Sequence, residues 1–116
     1  MDINRLFNID GKTALITGGS RGIGEMIAAG FLANGVKVYI TARKEAPLIE
    51  KAKELSEKFN GECIAIPCDL SNMEGIQKLA SDYLNHEDSL DILVNNAGAQ
   101  GVGGGWTIYP PLSSKT

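Results

Sequence analysis

Gly18, Gly22 and Gly24 lie in the stretch TGGSRGIG, directly after the short apolar run KTALIT at residues 12–17. Such a run, bounded by turn residues, is typical of a buried parallel strand. The first turn of a following helix would offer unpaired N–H groups to an anion. Gly18 suits a tight turn, Gly22 leaves room for a phosphate, and Gly24 permits close helix packing. The stretch therefore predicts a phosphate-binding turn, the alternative being a tight turn without a ligand.

Three positive charges accompany this turn. Arg21 lies within it, and Arg43 and Lys44 follow a second predicted strand at residues 36–42. A site for NAD usually has a carboxylate there, about 20 positions after the glycines, to bind the ribose 2′-hydroxyl. A guanidinium can instead hold a phosphate through two donors. The pattern predicts NADP(H) in preference to NAD(H), the alternative being ordinary solvated charges.

The elements that must position these residues alternate along the chain. Apolar runs predict strands and four-residue apolar spacings predict helices. Strands are expected at 12–17, 36–42, 62–67 and 91–94, and helices at about 22–34, at 46–59 and from Ser71 onward. This alternation predicts an α/β fold with a parallel sheet and right-handed crossovers.

Two details of the helices are also predicted. Ser71 and Glu74 have the spacing of a capping box, in which each side chain accepts a hydrogen bond from the main-chain N–H group of the other residue. Gly30 falls inside the first helix, where glycine is unfavourable, and close packing against a strand would explain it.

The composition limits the classes of function. The chain has 116 residues, enough for one domain, and a net charge of -3, which provides no large basic surface for nucleic acid or an anionic membrane. No apolar run could span a bilayer and no signal-peptide pattern opens the chain, so a cytoplasmic location is expected. Cys63 and Cys68 are expected to be reduced and buried, and no Cys/His spacing predicts a metal site.

Three motifs occur in a definite order: TGGSRGIG after the first predicted strand, CDL at 68–70 after the third, and NNAG at 95–98 after the fourth. Together with the opening FNIDGKTALIT, they closely resemble the short-chain dehydrogenase/reductase family over about residues 5–100. The similarity is to members such as 3-oxoacyl carrier-protein reductases and gluconate or other sugar-acid dehydrogenases.

The resemblance implies a partial doubly wound Rossmann fold with strand order 3-2-1-4, and it implies roles for the matched residues. The pyrophosphate and ribose would be lined by Gly18, Ser20, Arg21, Ile23 and Gly24. Asp69 would hydrogen-bond the adenine amino group, with Leu70 beside the ring. The adenosine ribose side of the cleft would be lined by Asn95, Ala97 and Gly98, which would also stabilise the central strand. From the residues alone, Asp69 could equally be a turn residue before a helix, and NNAG a turn that ends a strand.

The family's hydride transfer to ketones or from secondary alcohols needs a tyrosine, a lysine four residues later and a preceding serine. The lysine lowers the tyrosine pKa so that it can transfer a proton near neutral pH. The positions four residues after the three tyrosines hold Arg43, Glu87 and Ser113. No catalytic residue is therefore predicted, and a carbonyl or alcohol substrate is expected only for an intact form.

Residues 99–116 differ from the rest, being rich in glycine and proline without helix or strand periodicity. We therefore divide the chain into an NADP(H)-binding half-domain at 1–98 and an irregular tail that a truncation or frameshift would explain. The fourth strand would then be a bare edge, which favours association of the chain with itself or with a full-length relative. The alternative function is a stand-alone nucleotide-binding or regulatory module without catalysis.

Overall fold

The strands and helices follow each other in the predicted alternation. The computed structural model describes residues 9–96 and the main chain of 107–109. In chain order the elements are β1 (Thr13–Thr17), α1 (Gly22–Ala33), β2 (Lys37–Ala42), α2 (Glu45–Phe59), β3 (Cys63–Pro67), α3 (Met73–Leu84), β4 (Ile92–Asn95) and β5 (Thr107–Tyr109).

The sheet has the order β3-β2-β1-β4-β5, and its first four strands are parallel. Thr17, the last residue of β1, pairs in register with Thr41 on one side and Asn95 on the other. The predicted order 3-2-1-4 is therefore confirmed. Because the strands are parallel, their carboxyl ends meet along one border of the sheet, which we call the carboxyl edge. The opposite border is the amino edge.

The structure adds a strand that the sequence did not predict. Thr107–Tyr109 pairs antiparallel with β4, in the register Asn95 with Thr107 and Leu93 with Tyr109. Strand β4 is therefore not the bare edge that we expected, and the tail is not irregular at these three residues. The segment Thr-Ile-Tyr has the β-branched and aromatic residues that favour strands. The main-chain groups at the outer side of β4 are available for its pairing.

The helices cover the two faces of the sheet unequally. Helices α1 and α2 pack on one face around Ala14, Ile16 and other apolar side chains, whereas α3 packs on the other around Leu15 and Tyr39. Because side chains alternate along a strand, the two cysteines fall on different sides. They cannot form a disulfide with each other, and both are free: Cys63 is buried on the first face and Cys68 on the second.

Two predicted details of the helices are wrong. Asn72, not Ser71, caps α3, and its Oδ1 accepts a hydrogen bond from the Gly75 N–H at 2.8 Å. Ser71 instead lies in the preceding turn, where its N–H group donates to Asp69 Oδ1. Gly30 is exposed, and a side chain added there would have no neighbouring heavy atom within 4 Å. Close packing therefore does not explain this glycine.

Candidate cofactor-binding site

The glycine-rich turn leaves β1 at the carboxyl edge. Thr17 ends the strand, and the Gly18 N–H group still donates to the Thr41 carbonyl of β2 at 2.9 Å. The chain then reverses through Gly18 and Gly22, whose φ angles of 71° and 63° belong to the left-handed region that favours glycine. A side chain at Gly22 would point into open space. The turn therefore keeps a side-chain-free approach to the start of α1, as a bound phosphate requires.

Gly24 brings the first turn of α1 against this turn. A Cβ atom at Gly24 would overlap the Gly18 carbonyl oxygen and would lie 2.8 Å from Asn96 Nδ2. Only glycine fits such a close approach, so the helix start is fixed directly against the turn.

Strand β4 is joined to the glycine turn by hydrogen bonds of Asn95 and Asn96, of which the sequence reasoning missed those of Asn96. The Thr17 hydroxyl donates to Asn95 Oδ1 at 3.0 Å and accepts from the Asn96 N–H group at 2.7 Å. Asn96 Nδ2 also donates to the Gly18 carbonyl at 3.3 Å. A threonine at the end of a buried strand, immediately before glycine, was the available signal for this role. The asparagine pair therefore fixes the turn from the side of β4.

Among residues 9–96, no side chain caps the amino end of α1. Arg21 is its N-cap residue, and its side chain does not cap the first turn. Helix α3 shows the contrast, because there Asn72 satisfies a first-turn N–H group. The N–H groups of α1 carry partial positive charge toward the carboxyl edge, which makes this helix start a fitting site for a pyrophosphate.

Arg21, Arg43 and Lys44 are all exposed, and within residues 9–96 none of them forms an ion pair with a carboxylate. Three other cations of the same region do pair with carboxylates, namely Lys37, Lys51 and Lys78. Since β1 and β2 are neighbours in register, the loops that carry the three unpaired cations leave the carboxyl edge side by side. They form a positive border next to the glycine turn.

Asp69 follows β3 on the far side of this positive border. The Cys68 N–H group donates to the Ala42 carbonyl at 3.0 Å and extends the pairing of β3 with β2 by one residue. Hydrogen bonds from Ser71 hold the pKa of Asp69 below its ordinary value, and the charge of Arg43 acts in the same direction. Asp69 is therefore an ionised acceptor, while the neighbouring Leu70 packs against the core on the α3 face.

The structure thus brings the predicted residues of all four parallel strands to one edge. In the glycine turn Ser20 is half-buried and Ile23 is exposed, with 53% of its surface accessible. Asn95 is exposed at the end of β4. Ala97 and Gly98 lie outside the described residues, so their predicted roles stay predictions.

The tyrosines with described side chains lie toward the other border of the sheet. The Tyr39 hydroxyl donates to Glu87 Oε2, and the Tyr83 hydroxyl donates to the Ser89 carbonyl, both at 2.5 Å. Burial is the first cause that raises the Tyr39 pKa, to about 12. Both acceptors precede β4, at the amino edge, so neither hydroxyl is placed to transfer a proton at the carboxyl edge.

Neither a membrane span nor a metal cluster occurs in the part of the chain that the structure describes. None of the helices there combines the length and the apolar character needed to cross a membrane. The same residues contain no group of three or more His, Cys, Asp or Glu side chains that could hold a metal ion.

A sequence profile described as short chain dehydrogenase matches residues 12–106 of the chain. The chain belongs to the short chain dehydrogenase family. The match begins just before β1 and includes all three motifs from which the resemblance was recognised. The expectation drawn from these motifs is therefore confirmed at the level of the family.

Several curated proteins and solved structures are similar to this chain. The rhamnolipids biosynthesis 3-oxoacyl-[acyl-carrier-protein] reductase of Pseudomonas aeruginosa is 49% identical over 92 residues, covering 79% of this chain and 35% of the relative. The Pseudomonas aeruginosa RhlG/NADP active-site complex matches with a TM-score of 0.75 and 49% identity over 79% of this chain and 36% of that chain. The L-sorbose reductase of Gluconobacter frateurii, complexed with NADPH and L-sorbose, matches with a TM-score of 0.75 and 40% identity over 78% of this chain and 35% of that chain.

The chain spans about a third of the length of the proteins that it matches. The family match over residues 12–106 contains the glycine turn, the loops after β2 and β3, and the end of β4. What these relatives bind or reduce is a property of the longer proteins.

Proposed function

We propose that the carboxyl edge binds NADP(H) and that the chain is the coenzyme-binding part of an oxidoreductase acting on carbonyls or secondary alcohols. The order of groups along the edge supports this. From β3 to β1 the edge presents Asp69, the positive border and the glycine turn. An extended NADP molecule presents adenine, the ribose 2′-phosphate and the pyrophosphate in the same order.

The observation that carries the proposal is that, among residues 9–96, no side chain caps the start of α1 and the three cations beside it form no ion pair. The first-turn N–H groups of α1 bind the pyrophosphate, and Gly22 and Gly24 keep that approach free of side chains. Arg43, with Arg21 and Lys44, binds the 2′-phosphate through charge-assisted hydrogen bonds. Asp69 accepts a hydrogen bond from the adenine amino group.

The bound coenzyme supplies the hydride that is exchanged with the carbonyl carbon. The residues described here bind and orient it, and none of them is assigned the proton transfer. The chain by itself is therefore proposed to be inactive, with the carbonyl or alcohol substrate bound only in an intact form.

Calorimetric titration of the chain with NADP⁺ and with NAD⁺ tests the proposal. NADP⁺ is expected to bind about tenfold tighter or more, because the 2′-phosphate gains charge-assisted hydrogen bonds. Arg43→Ala should shrink this ratio. Lys53→Ala is the matched control, since Lys53 is exposed on α2 about two turns from the carboxyl edge and should leave the ratio unchanged. Equal affinities of the unaltered chain for the two nucleotides would contradict the preference, and failure to bind either would contradict the site.

The second candidate function is a stand-alone nucleotide-binding or regulatory module. The hydroxyl groups of Tyr39 and Tyr83 favour it, because both are engaged in hydrogen bonds toward the amino edge. Co-purification tests the second candidate: capture of a longer reductase together with the chain supports the module, and its absence opposes it. Steady oxidation of NADPH by the chain alone, in the presence of a panel of ketones and aldehydes, would contradict both the module and the proposed inactivity.

A further inference from the structure

The junction between β3 and α3 contains an unusually close main-chain approach. Gly75 lies in the first turn of α3, where a Cβ atom would overlap the Asp69 carbonyl oxygen and lie 2.6 Å from the Asp69 carbonyl carbon. Backbone atoms cannot yield to a methyl group as a flexible side chain can. The main chain of Asp69 is therefore seated directly on the start of the helix.

Two hydrogen bonds tighten the same junction. The Ser71 N–H group donates to Asp69 Oδ1 at 2.9 Å, and the Gly75 N–H group donates to Asn72 Oδ1 at 2.8 Å. The main chain of Asp69 thus lies against the first turn of α3, and its carboxylate accepts a hydrogen bond from Ser71, just before that helix. A displacement of the start of α3 would therefore displace the hydrogen-bond donor of the carboxylate.

The backbone conformation of Gly75 does not explain why this residue is glycine. Gly75 is helical and is not among the described glycines that have a positive φ, so an alanine would suit its dihedral angles. Gly30 is a second helical glycine without a positive φ, and a Cβ atom there would meet nothing within 4 Å. The two residues form a matched pair: only at Gly75 does the missing side chain permit a contact, and that contact is with Asp69.

We propose that Gly75 is a positioning residue for adenine recognition. It acts through Asp69, because the close approach fixes where the carboxylate meets the adenine amino group. This inference rests on the proposed binding of NADP(H), and it adds a residue six positions beyond Asp69 that touches no cofactor atom itself. Asn72 supports the arrangement by fixing the first turn of α3.

The test compares NADP⁺ with nicotinamide hypoxanthine dinucleotide phosphate, which has a carbonyl oxygen in place of the adenine amino group. The unaltered chain should bind NADP⁺ about tenfold tighter or more, the factor expected when a hydrogen bond to a charged group is lost. Gly75→Ala should reduce this discrimination toward that of Asp69→Ala and should change the affinity for the hypoxanthine analogue little. Gly30→Ala should leave both affinities unchanged. In the Asp69→Ala background, Gly75→Ala should have no further effect on discrimination.

The outcomes separate the two proposals. Failure of the unaltered chain to bind NADP⁺ overturns the proposed function. The positioning role alone is overturned if a folded Gly75→Ala variant still prefers NADP⁺ over the hypoxanthine analogue by the full factor. It is also overturned if this variant loses affinity for both nucleotides equally. If Gly75→Ala does not fold, Asn72→Ala provides the test, because it removes only the cap and should reduce discrimination by a smaller factor. Unchanged discrimination in that variant would then overturn the inference.

Discussion

At the amino edge of the sheet, Lys37 and Tyr39 both contact Glu87, whereas at the carboxyl edge Arg21, Arg43 and Lys44 form no ion pair within residues 9–96. Lys37 Nζ lies 2.6 Å from Glu87 Oε2, and the Tyr39 hydroxyl donates to the same oxygen atom. The two edges belong to the same strands, yet the charges of one are paired internally, whereas the three cations of the other are exposed.

The amino edge extends this internal network through Tyr83. Its hydroxyl donates to the Ser89 carbonyl, and its ring meets that of Tyr39 edge to face with centroids 5.0 Å apart. The Thr13 N–H group donates to Asp91 Oδ2 at 2.9 Å. Groups that are already bonded to one another have little to offer a ligand, so this edge stabilises the fold. The difference teaches that charge content alone does not identify a site, because partners decide which charges are available.

Gly24→Ala should have the largest effect and should act mainly at the carboxyl edge. The added methyl group overlaps the Gly18 carbonyl, so the free energy of unfolding should fall by about 1–3 kcal/mol, the usual result of overpacking. Affinity for NADP⁺ should fall as well, because the start of α1 is displaced from the turn. Denaturant unfolding and calorimetric titration measure the two quantities. A variant that unfolds early but binds NADP⁺ with unchanged affinity would break the assignment of this turn to the nucleotide.

Tyr83→Phe should lower stability without lowering nucleotide affinity. The change removes the part-buried hydrogen bond to the Ser89 carbonyl, and the loss of one such bond destabilises by about 1 kcal/mol. Thermal unfolding should therefore show a lower melting temperature, whereas titration with NADP⁺ should show an unchanged affinity. Weaker NADP⁺ binding in the folded variant would show that the two edges are coupled.

Glu87→Gln should alter the dependence of stability on pH. Lys37 first, and then Tyr39, hold the pKa of Glu87 below its ordinary value of 4.5 through hydrogen bonds. The stabilisation is therefore complete above about pH 4.5 and is lost as the pH falls through the lower pKa of the folded state. The variant should be less stable at neutral pH, by about 1 kcal/mol or less for such a partly exposed pair. Its stability should also change less between neutral and acid pH. Urea unfolding at several pH values measures this dependence. If the free energy of unfolding fell equally in the two proteins between neutral and acid pH, the role of Glu87 would be contradicted.

Gly30→Ala should have the smallest effect and the opposite sign. Gly30 is helical and exposed, with space for a methyl group, so alanine should raise the free energy of unfolding by about 0.5–1 kcal/mol. Urea unfolding measures the gain, and titration with NADP⁺ should show no change. A loss of stability would mean that this part of α1 meets a neighbour that the described residues do not include.

The parts of the site that lie close together in the sequence could be predicted from it. The spacing of Gly18, Gly22 and Gly24 specifies a turn into a helix, because each glycine acts on its immediate surroundings. The hydrogen bonds of Asn96 to this turn could not be predicted, since they join positions 78 or 79 residues apart. The role of Gly75 could not be predicted either, because a side chain there would overlap a carbonyl group outside its own helix.

The fold shows the same division. The strand order followed from the family resemblance and from alternating strands and helices, which are local patterns. The start of α3 was predicted one residue early because Ser71 and Asn72 are both good capping residues, and the hydrogen bond of Ser71 to Asp69 decides between them. Strand β5 is three residues long and carries no periodic pattern, so its pairing depended on the neighbour it found in β4.

The central position of β1 sets the sequence of events by which the binding site is assembled. Its neighbour β2 is synthesised soon after it. Its other neighbour, β4, emerges only after all three helices and the strands β2 and β3. During synthesis, the residues of the glycine turn therefore emerge well before Asn96, which donates a hydrogen bond to this turn in the folded chain. Pairing of such distant segments is slow, because a long loop must be ordered first. The proposed nucleotide site is therefore completed only after β4 has joined β1, and a nucleotide that binds there would stabilise only chains in which this pairing has formed.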